Sequence, residues 1–288
     1  MYMKKVLVIL FVVLSLAAEA QVLAPAASPA AMVSTVVGLT EVKVEYFRPK
    51  AKGRKIFGEG TSFLTQFGQL WRTGANSGSK VTFSDDVKFS GVDVPKGTYL
   101  LLTIPGATEW TVILYKDVAM GGNTDQYDKM KDQARITVKS EKLTEKVETF
   151  TVQISDLAAD SKTANLQISW ENTSVKVPIV VDFDAKVMKS IETSTRVNYN
   201  NYSAAATYYF DNGKDMKQAL TYVNEALANY PKDGDTPYWI LLQKAKIQKA
   251  LGDKKGAMES SVASKTAALA QKNMDYVKMN DELMTNLK

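Results

Sequence analysis

The sequence predicts an antiparallel β-sandwich or jelly-roll-like domain followed by an all-α domain. Three observations predict it. From Met32 to about Asp184, apolar and polar residues alternate with a period of two, the pattern of strands with one buried and one solvated face. Turn-forming clusters, rather than helical segments, separate these runs. Beyond about Asp184, β-branched residues thin out and the apolar period becomes that of helices.

The elements follow in chain order. Met1-Tyr2-Met3-Lys4-Lys5 gives a positive start, and residues 6–16 form an apolar run broken only by Ser15. Ala18-Glu19-Ala20 places small residues at the two positions a signal peptidase reads. The run is shorter than the roughly 20 residues that span a bilayer. Residues 1–20 therefore read as a cleaved secretory signal and not a membrane anchor. No later apolar stretch is long enough to span. A periplasmic or secreted protein without a stable membrane anchor is expected. Residues 21–31, rich in Ala and carrying Pro25 and Pro29, read as a flexible leader.

The β domain is expected over residues 32–184. Glu41-Val42-Lys43-Val44-Glu45-Tyr46 alternates strictly, and Val81-Thr82-Phe83, Val87-Lys88-Phe89, Ile136-Thr137-Val138, Thr151-Val152-Gln153-Ile154 and Leu166-Gln167-Ile168-Ser169-Trp170 repeat the rhythm. Residues 99–104 and 110–115 are denser apolar runs, suited to central strands covered on both faces. Ser84-Asp85-Asp86, Pro95-Lys96-Gly97 and Pro105-Gly106-Ala107 supply turn residues between them, the first of these as a hairpin turn. Pro178 marks an edge or a bulge, because it has no N–H to give a ladder.

Residues 185–288 read as helical. One hairpin is expected over residues 202–230 with a break at Asp211-Asn212-Gly213. A second is expected over 237–272 with a break at Gly252-Asp253, offering Ala257, Val262, Ala268 and Leu269 as contacts. A last amphipathic helix is expected over 275–287. The first hairpin resembles a tetratricopeptide repeat. Counted back from Pro231, Ala206 and Thr207 fall where the helices approach, and Ala219, Val223 and Ala226 fill the second helix. The second hairpin matches less closely, with Ser261 and Ser264 at later apolar and small positions. Such repeats imply a protein or peptide partner.

Composition removes several chemistries. The chain of 288 residues is 45% hydrophobic and 23% charged, ordinary for a globular protein. It has no Cys and no His. That excludes disulfides, thiol nucleophiles, a lipid-modified Cys, Ser–His–Asp catalysis and zinc sites of the usual donors. No cofactor and no metal are expected. The formal net charge is +5, of which Lys4, Lys5 and Glu19 contribute +1, leaving +4 beyond the signal. With Lys and Glu interspersed, nucleic-acid binding is not expected.

Arg48-Pro49, Lys52-Gly53-Arg54-Lys55-Ile56-Phe57-Gly58 and Leu70-Trp71-Arg72-Thr73-Gly74-Ala75-Asn76 resemble the hallmark stretches of the DUF2911 family. Gly97-Thr98-Tyr99, Thr103-Ile104-Pro105-Gly106, Glu109-Trp110-Thr111-Val112-Ile113, Glu148-Thr149-Phe150-Thr151, Trp170-Glu171-Asn172 and Val177-Pro178-Ile179 continue the resemblance in the same order. It covers about residues 25–184. The resemblance implies an exported protein of Bacteroidetes type, and carries no activity with it. Two departures stand out: Met120-Gly121-Gly122 where relatives place Trp-Gly, and Tyr115 where they place Asn.

Arg48, Arg54, Trp71, Arg72, Asn76 and Glu171 are the candidate ligand-binding residues; no catalytic residue is assigned. An Arg fork and an Asn amide suit a carboxylate, a phosphate or sugar hydroxyls, with Trp71 as a stacking surface. The competing structural reading buries Trp71, pairs Arg72 with Glu171 and turns Asn76 into a cap. Two function classes remain open. One is a non-enzymatic cell-envelope module that binds a small molecule or glycan, or a protein. The other is a hydrolase or lyase acting on envelope glycans through paired carboxylates such as Glu171 with Asp85, Asp86, Asp182 or Asp184. A concave pocket holding two carboxylates beside a Trp discriminates them.

Overall fold

The computed structural model describes residues 24–194 and 198–287, and the expected signal segment, residues 1–20, lies outside the described residues. The chain divides into two compact units, Met1–Phe183 and Asp184–Lys288.

The first unit is an antiparallel β domain. Its nine main strands are β1 (Ala30–Val37), β2 (Thr40–Phe47), β5 (Ser79–Phe83), β6 (Val87–Phe89), β7 (Val92–Val94), β8 (Gly97–Ile104), β9 (Glu109–Tyr115), β10 (Asp132–Ser155) and β11 (Thr163–Val181). They are hydrogen-bonded in the order β1-β2-β5-β8-β9-β10-β11-β6-β7. β3 (Phe57–Gly58) and β4 (Thr65–Gln66) form a separate parallel pair.

Strand β10 makes two layers from this one ladder. Its first part, from Asp132 to Lys139, pairs with β9; its second part, from Ser140 to Ser155, pairs with β11. Register shifts between Lys142 and Val147, and between Val147 and Thr151, bend it. The apolar sides of the two layers meet in one core that contains Val44, Phe83, Trp110 and Leu114 from one layer and Phe89, Val152, Leu166 and Trp170 from the other. The Phe83 and Phe89 rings lie 6.3 Å apart across it.

The alternating runs at Ile136 and Thr151, expected as separate strands, are therefore two parts of β10, and those at Leu166 and Val175 two parts of β11. The alternation lapses over the bulged middle of β10, so periodicity alone reads one bent strand as two. The turn at Ser84-Asp85-Asp86 is likewise not a hairpin. It carries the chain from β5 in one layer to β6 in the other, with Glu41 N donating to Ser84 Oγ and Lys96 N to Asp86 Oδ1. Pro178 stands where β11 has left β10: the last rung between them is Ser140 with Val175. Its carbonyl accepts from Ser90 N, so nothing there requires a proline N–H.

The dense runs of β8 and β9 are buried on both faces. Leu101, Trp110, Val112 and Leu114 enter the main core, while Leu100, Leu102, Ile113 and Tyr115 pack on the opposite face with Met120. Met120 belongs to the connection between β9 and β10, which thus covers the sheet.

The second unit comprises helices α1 (Asp184–Ser194), α2 (Tyr199–Asp211), α3 (Met216–Ala228), α4 (Tyr238–Ala250), α5 (Lys254–Ala270) and α6 (Met274–Thr285). Side chains of Asn198, Asp215, Asp253 and Asn273 cap the N-termini of α2, α3, α5 and α6. Ala206, Ala219, Val223 and Ala226 are fully buried with Ile240 and Ile247. Thr207 is exposed, and Ala205 takes the close approach beside Ala206. Val262 and Leu269 also differ from expectation, being 49% and 48% exposed. Ser261 and Ser264 of the same helix are buried instead, because Asn280 of α6 supplies their partners. Helix α1 was not singled out within the segment read as helical; Val187, Met188 and Ile191 share one of its faces, and Ile191 is its buried residue. No helix among the described residues is long and apolar enough to cross a membrane.

Candidate functional site

Two irregular segments of the β unit carry the site. The first, residues 71–78, leaves the ladder at Trp71, whose N–H donates to Thr103 O at 2.7 Å while Thr103 N returns a bond to Trp71 O at 3.0 Å. The chain then turns sharply. Thr73 and Asn76 adopt left-handed backbone at φ 53°, flanking Gly74 at φ 130°. Such conformations persist only where surroundings hold them. Thr73 is held by its hydroxyl against Thr103 Oγ1, 3.0 Å away, and by Ser79 Oγ, which donates to Thr73 O. A side chain at Gly74 would meet Phe47 O and Ser79 Oγ at 3.2 Å.

This turn orients Arg72. Its Nη1 donates to Asn76 O at 3.2 Å, and Gly122 lies directly beneath the pair. A Cβ on Gly122 would stand 2.1 Å from Asn76 O and 2.9 Å from Arg72 Nη1. Gly122 is therefore a packing surface for the Arg72 turn.

The second segment, residues 50–54, is tied to β10. Lys50 bridges Thr149, Ala51 N donates to Glu148 O, and Lys52 N donates to Glu148 Oε1 at 2.7 Å. Lys52 and Gly53 are left-handed, at φ 50° and 73°. Arg54 folds back over this turn, giving Nε to Ala51 O at 3.1 Å and Nη2 to Lys50 O at 2.6 Å.

Between the two segments lies a cavity of about 560 Å³. Lys50, Lys52, Arg54 and Arg72 line it, with Asn76, Thr65, the 49%-exposed Leu64, and the indoles of Trp71 and Trp170. Trp71 is half-buried. It stacks on Trp170 with centroids 5.9 Å apart and contacts Phe57, Trp110 and Phe150 edge-on. One part of the Trp71 ring is thus core and another is cavity wall.

The cavity is lined only by positive charge, and Glu148, whose carboxylate accepts from Lys52 N, does not line it. No Asp or Glu lines it, and among the described residues none of its Lys or Arg side chains is ion-paired. Arg72 does not pair with Glu171. Glu171 sits at the β10–β11 irregularity opposite Val147, with φ 53°, and does not line the cavity. Arg48 does not line it either: Nε donates to Phe150 O and Nη2 to Thr151 Oγ1, stitching the end of β2 to β10. The structure therefore brings together Arg54, Trp71, Arg72 and Asn76 of the candidates and leaves out Arg48 and Glu171. Lys50, Lys52 and Trp170 were missed. Lys50 and Lys52 adjoin Arg54 in a basic stretch that continues to Lys55, a signal that was legible.

Shifted acid–base groups lie elsewhere. Tyr127 is pushed up, first by burial and then by its hydrogen bond to Asp132, with Arg135 opposing. The Lys131 ammonium holds Asp117 below the usual carboxylate range, and Lys176 does the same for Asp156. Among the described residues no group of three or more Asp or Glu is placed to hold a metal ion.

Comparison with known proteins gives one result. The model of the DUF2911 family, described as a protein of unknown function, matches residues 28–179, more than half of the chain. No curated protein and no solved structure matches. The matched span contains every residue named above as lining the cavity. Residues 28–179, the β domain with its cationic cavity, place this chain in the DUF2911 family.

Proposed function

We propose that this is an exported, non-enzymatic ligand-binding protein of the cell envelope, whose site is the cavity between residues 50–54 and 71–78. The observation that carries the reading is the charge of its lining: Lys50, Lys52, Arg54 and Arg72, with no carboxylate among them. Four cations gathered around one concavity repel one another, and an anion relieves that repulsion. The indole of Trp71 beside them offers a flat apolar surface for a ring. Export rests on the sequence of residues 1–20 and is checked by the N-terminus of the purified protein.

Tryptophan fluorescence is the direct test. Glucuronate and glucose 6-phosphate are titrated against glucose as the neutral control, in the parent and in Arg72→Gln. Saturable signals for the anions, absent for glucose and weakened in the variant, support the reading. Signals indifferent to both ligand charge and Arg72 reject it.

Glycan hydrolysis by paired carboxyls requires two of them roughly 5–10 Å apart about the scissile bond. The cavity lining offers neither, so no observation favours that alternative. The helical unit is the proposed protein-facing part, on the strength of its successive antiparallel hairpins packed through Ala206, Ala219, Ala226 and Ala257. Failure to recover any partner from envelope extract at any salt concentration argues against that role.

A further inference from the structure

We infer that the anionic group this cavity takes is a phosphate monoester carried on a ring, in preference to a carboxylate. The inference rests on the proposed binding role of the same site and goes on to the chemistry of the ligand.

Hydrogen-bond bookkeeping on the two arginines is the first argument. Arg72 spends one Nη1 proton on Asn76 O, and its Nε–Nη2 edge bonds nothing among the described residues. Arg54 spends Nε and one Nη2 proton on Ala51 O and Lys50 O, leaving Nη1 and the other Nη2 proton. Each guanidinium is thus fixed by backbone carbonyls while keeping a pair of donors for an external oxygen pair. A carboxylate has two oxygens and fills one such fork. A phosphate monoester presents three terminal oxygens in a tetrahedron, enough to engage both forks from one group, with an ammonium left for the third.

Charge gives the second argument. The lining carries four positive groups and no negative one. A carboxylate neutralises one of them. A phosphate monoester near neutral pH carries about −1.5 to −2 and neutralises nearly twice as much. The third argument concerns the rest of the ligand. The Trp71 indole and the exposed Leu64 form an apolar side of the same lining. An inorganic ion leaves that side unused, whereas a ring attached to the phosphate covers it.

The phosphate's own titration provides the test. Its second pKa is near 6, so the dianion grows roughly tenfold in population between about pH 5 and pH 7.5, while a carboxylate stays ionised throughout. The chain has no His, the side chain whose ordinary titration falls in that window. Isothermal titration of the full mature chain is run at both pH values with glucose 6-phosphate, glucuronate and inorganic phosphate. The expected result is that glucose 6-phosphate binds about tenfold tighter at the higher pH, glucuronate shows no such change and binds more weakly, and inorganic phosphate lies below glucose 6-phosphate. Arg72→Lys and Arg54→Lys, which keep charge and remove the fork, weaken glucose 6-phosphate more than glucuronate. Thermal midpoints of both variants verify folding.

Glucuronate binding as tightly as glucose 6-phosphate, or glucose 6-phosphate binding without pH dependence, overturns the phosphate assignment and leaves an anion-binding site standing. Inorganic phosphate matching glucose 6-phosphate removes the ring. Absence of any Arg72-dependent binding by the three probes overturns both this inference and the binding role beneath it.

Discussion

Trp71 and Trp170 lie nearly parallel, 17° between planes and 5.9 Å between centroids, although one stands at the start of an irregular turn and the other inside β11. Trp170 is fixed from behind: it is 1% exposed and its Nε1 donates to Glu148 O at 3.2 Å. The same Glu148 carbonyl accepts from Ala51, at the root of the Lys50–Arg54 turn. One backbone oxygen thus connects the aromatic wall to the cationic wall.

Trp71→Ala is expected to damage binding and stability together. The ring contacts Trp170, Phe57, Trp110 and Phe150, yet is only half-buried, so the loss should be about 2 kcal/mol, below the range for a fully buried large aromatic. Urea unfolding measures it. Trp71→Phe should recover most of the stability. Full binding by a folded Trp71→Ala variant would remove Trp71 from the site.

Gly122→Ala isolates the orientation of Arg72 from its charge. The added Cβ meets Asn76 O at 2.1 Å, a backbone atom that cannot swing aside, so the turn or the Gly122 segment must move. The expected cost is about 1–3 kcal/mol, with anion binding reduced although no cation is lost. Gly53→Ala is the contrasting control: the space around it is open, and only its left-handed φ of 73° resists substitution. Equal effects of the two substitutions on binding would contradict the packing argument.

Much of this was legible beforehand. The words around Arg54 and Trp71 supplied four residues that the fold brings together, and the two-residue rhythm announced the sheet. What escaped notice depended on three-dimensional closure. Glu171 and Trp170 are neighbours in sequence, but Glu171 sits in the left-handed backbone of the β10–β11 irregularity, and only Trp170 lines the cavity. Arg48 looked equivalent to Arg54 until the end of β2 met β10, where Phe150 O and Thr151 Oγ1 hold its guanidinium outside the cavity lining. Continuous β10 was hidden because the alternation lapses over residues 141–149, where the strand bulges. Buried Ser261 and Ser264 were read as a weakened repeat because their partner, Asn280, lies a helix away.

Asn280 tests the helical unit on its own. It is fully buried, accepts from Ser261 Oγ at 2.9 Å, and donates to Ser264 Oγ at 2.9 Å and Tyr276 O at 2.7 Å. Asn280→Ala removes the side-chain partner of the Ser261 hydroxyl and one of two partners of Ser264 Oγ, which keeps Tyr238 O, and leaves a gap. The expected loss is about 2–4 kcal/mol. In the triple variant with Ser261→Ala and Ser264→Ala, part of that loss should return, because no hydroxyl is then left unsatisfied. A triple variant no more stable than the single one would show that the cavity, and not the polar network, dominates.

Tyr127 makes the acid–base prediction. Its hydroxyl donates to Asp132 and accepts from Arg135 Nη2, while Arg135 Nε holds Asp132 at 2.8 Å. Burial, followed by the Asp132 carboxylate, raises the phenol above its ordinary value of about 10, against the opposing Arg135. A group whose folded pKa exceeds its unfolded one contributes stability below the unfolded pKa and loses it as pH rises through the folded one. Stability should therefore decline from about pH 10 upward, and phenolate absorbance near 295 nm should lag in the native chain relative to the urea-denatured one. Burial also raises Tyr99, Tyr209 and Tyr230, so the lag belongs to several residues. Tyr127→Phe separates them. It should flatten the alkaline decline in part and leave the neutral-pH fold intact. An alkaline slope unchanged by Tyr127→Phe would assign the effect to the other three tyrosines and clear the Tyr127–Asp132–Arg135 cluster of any part in it.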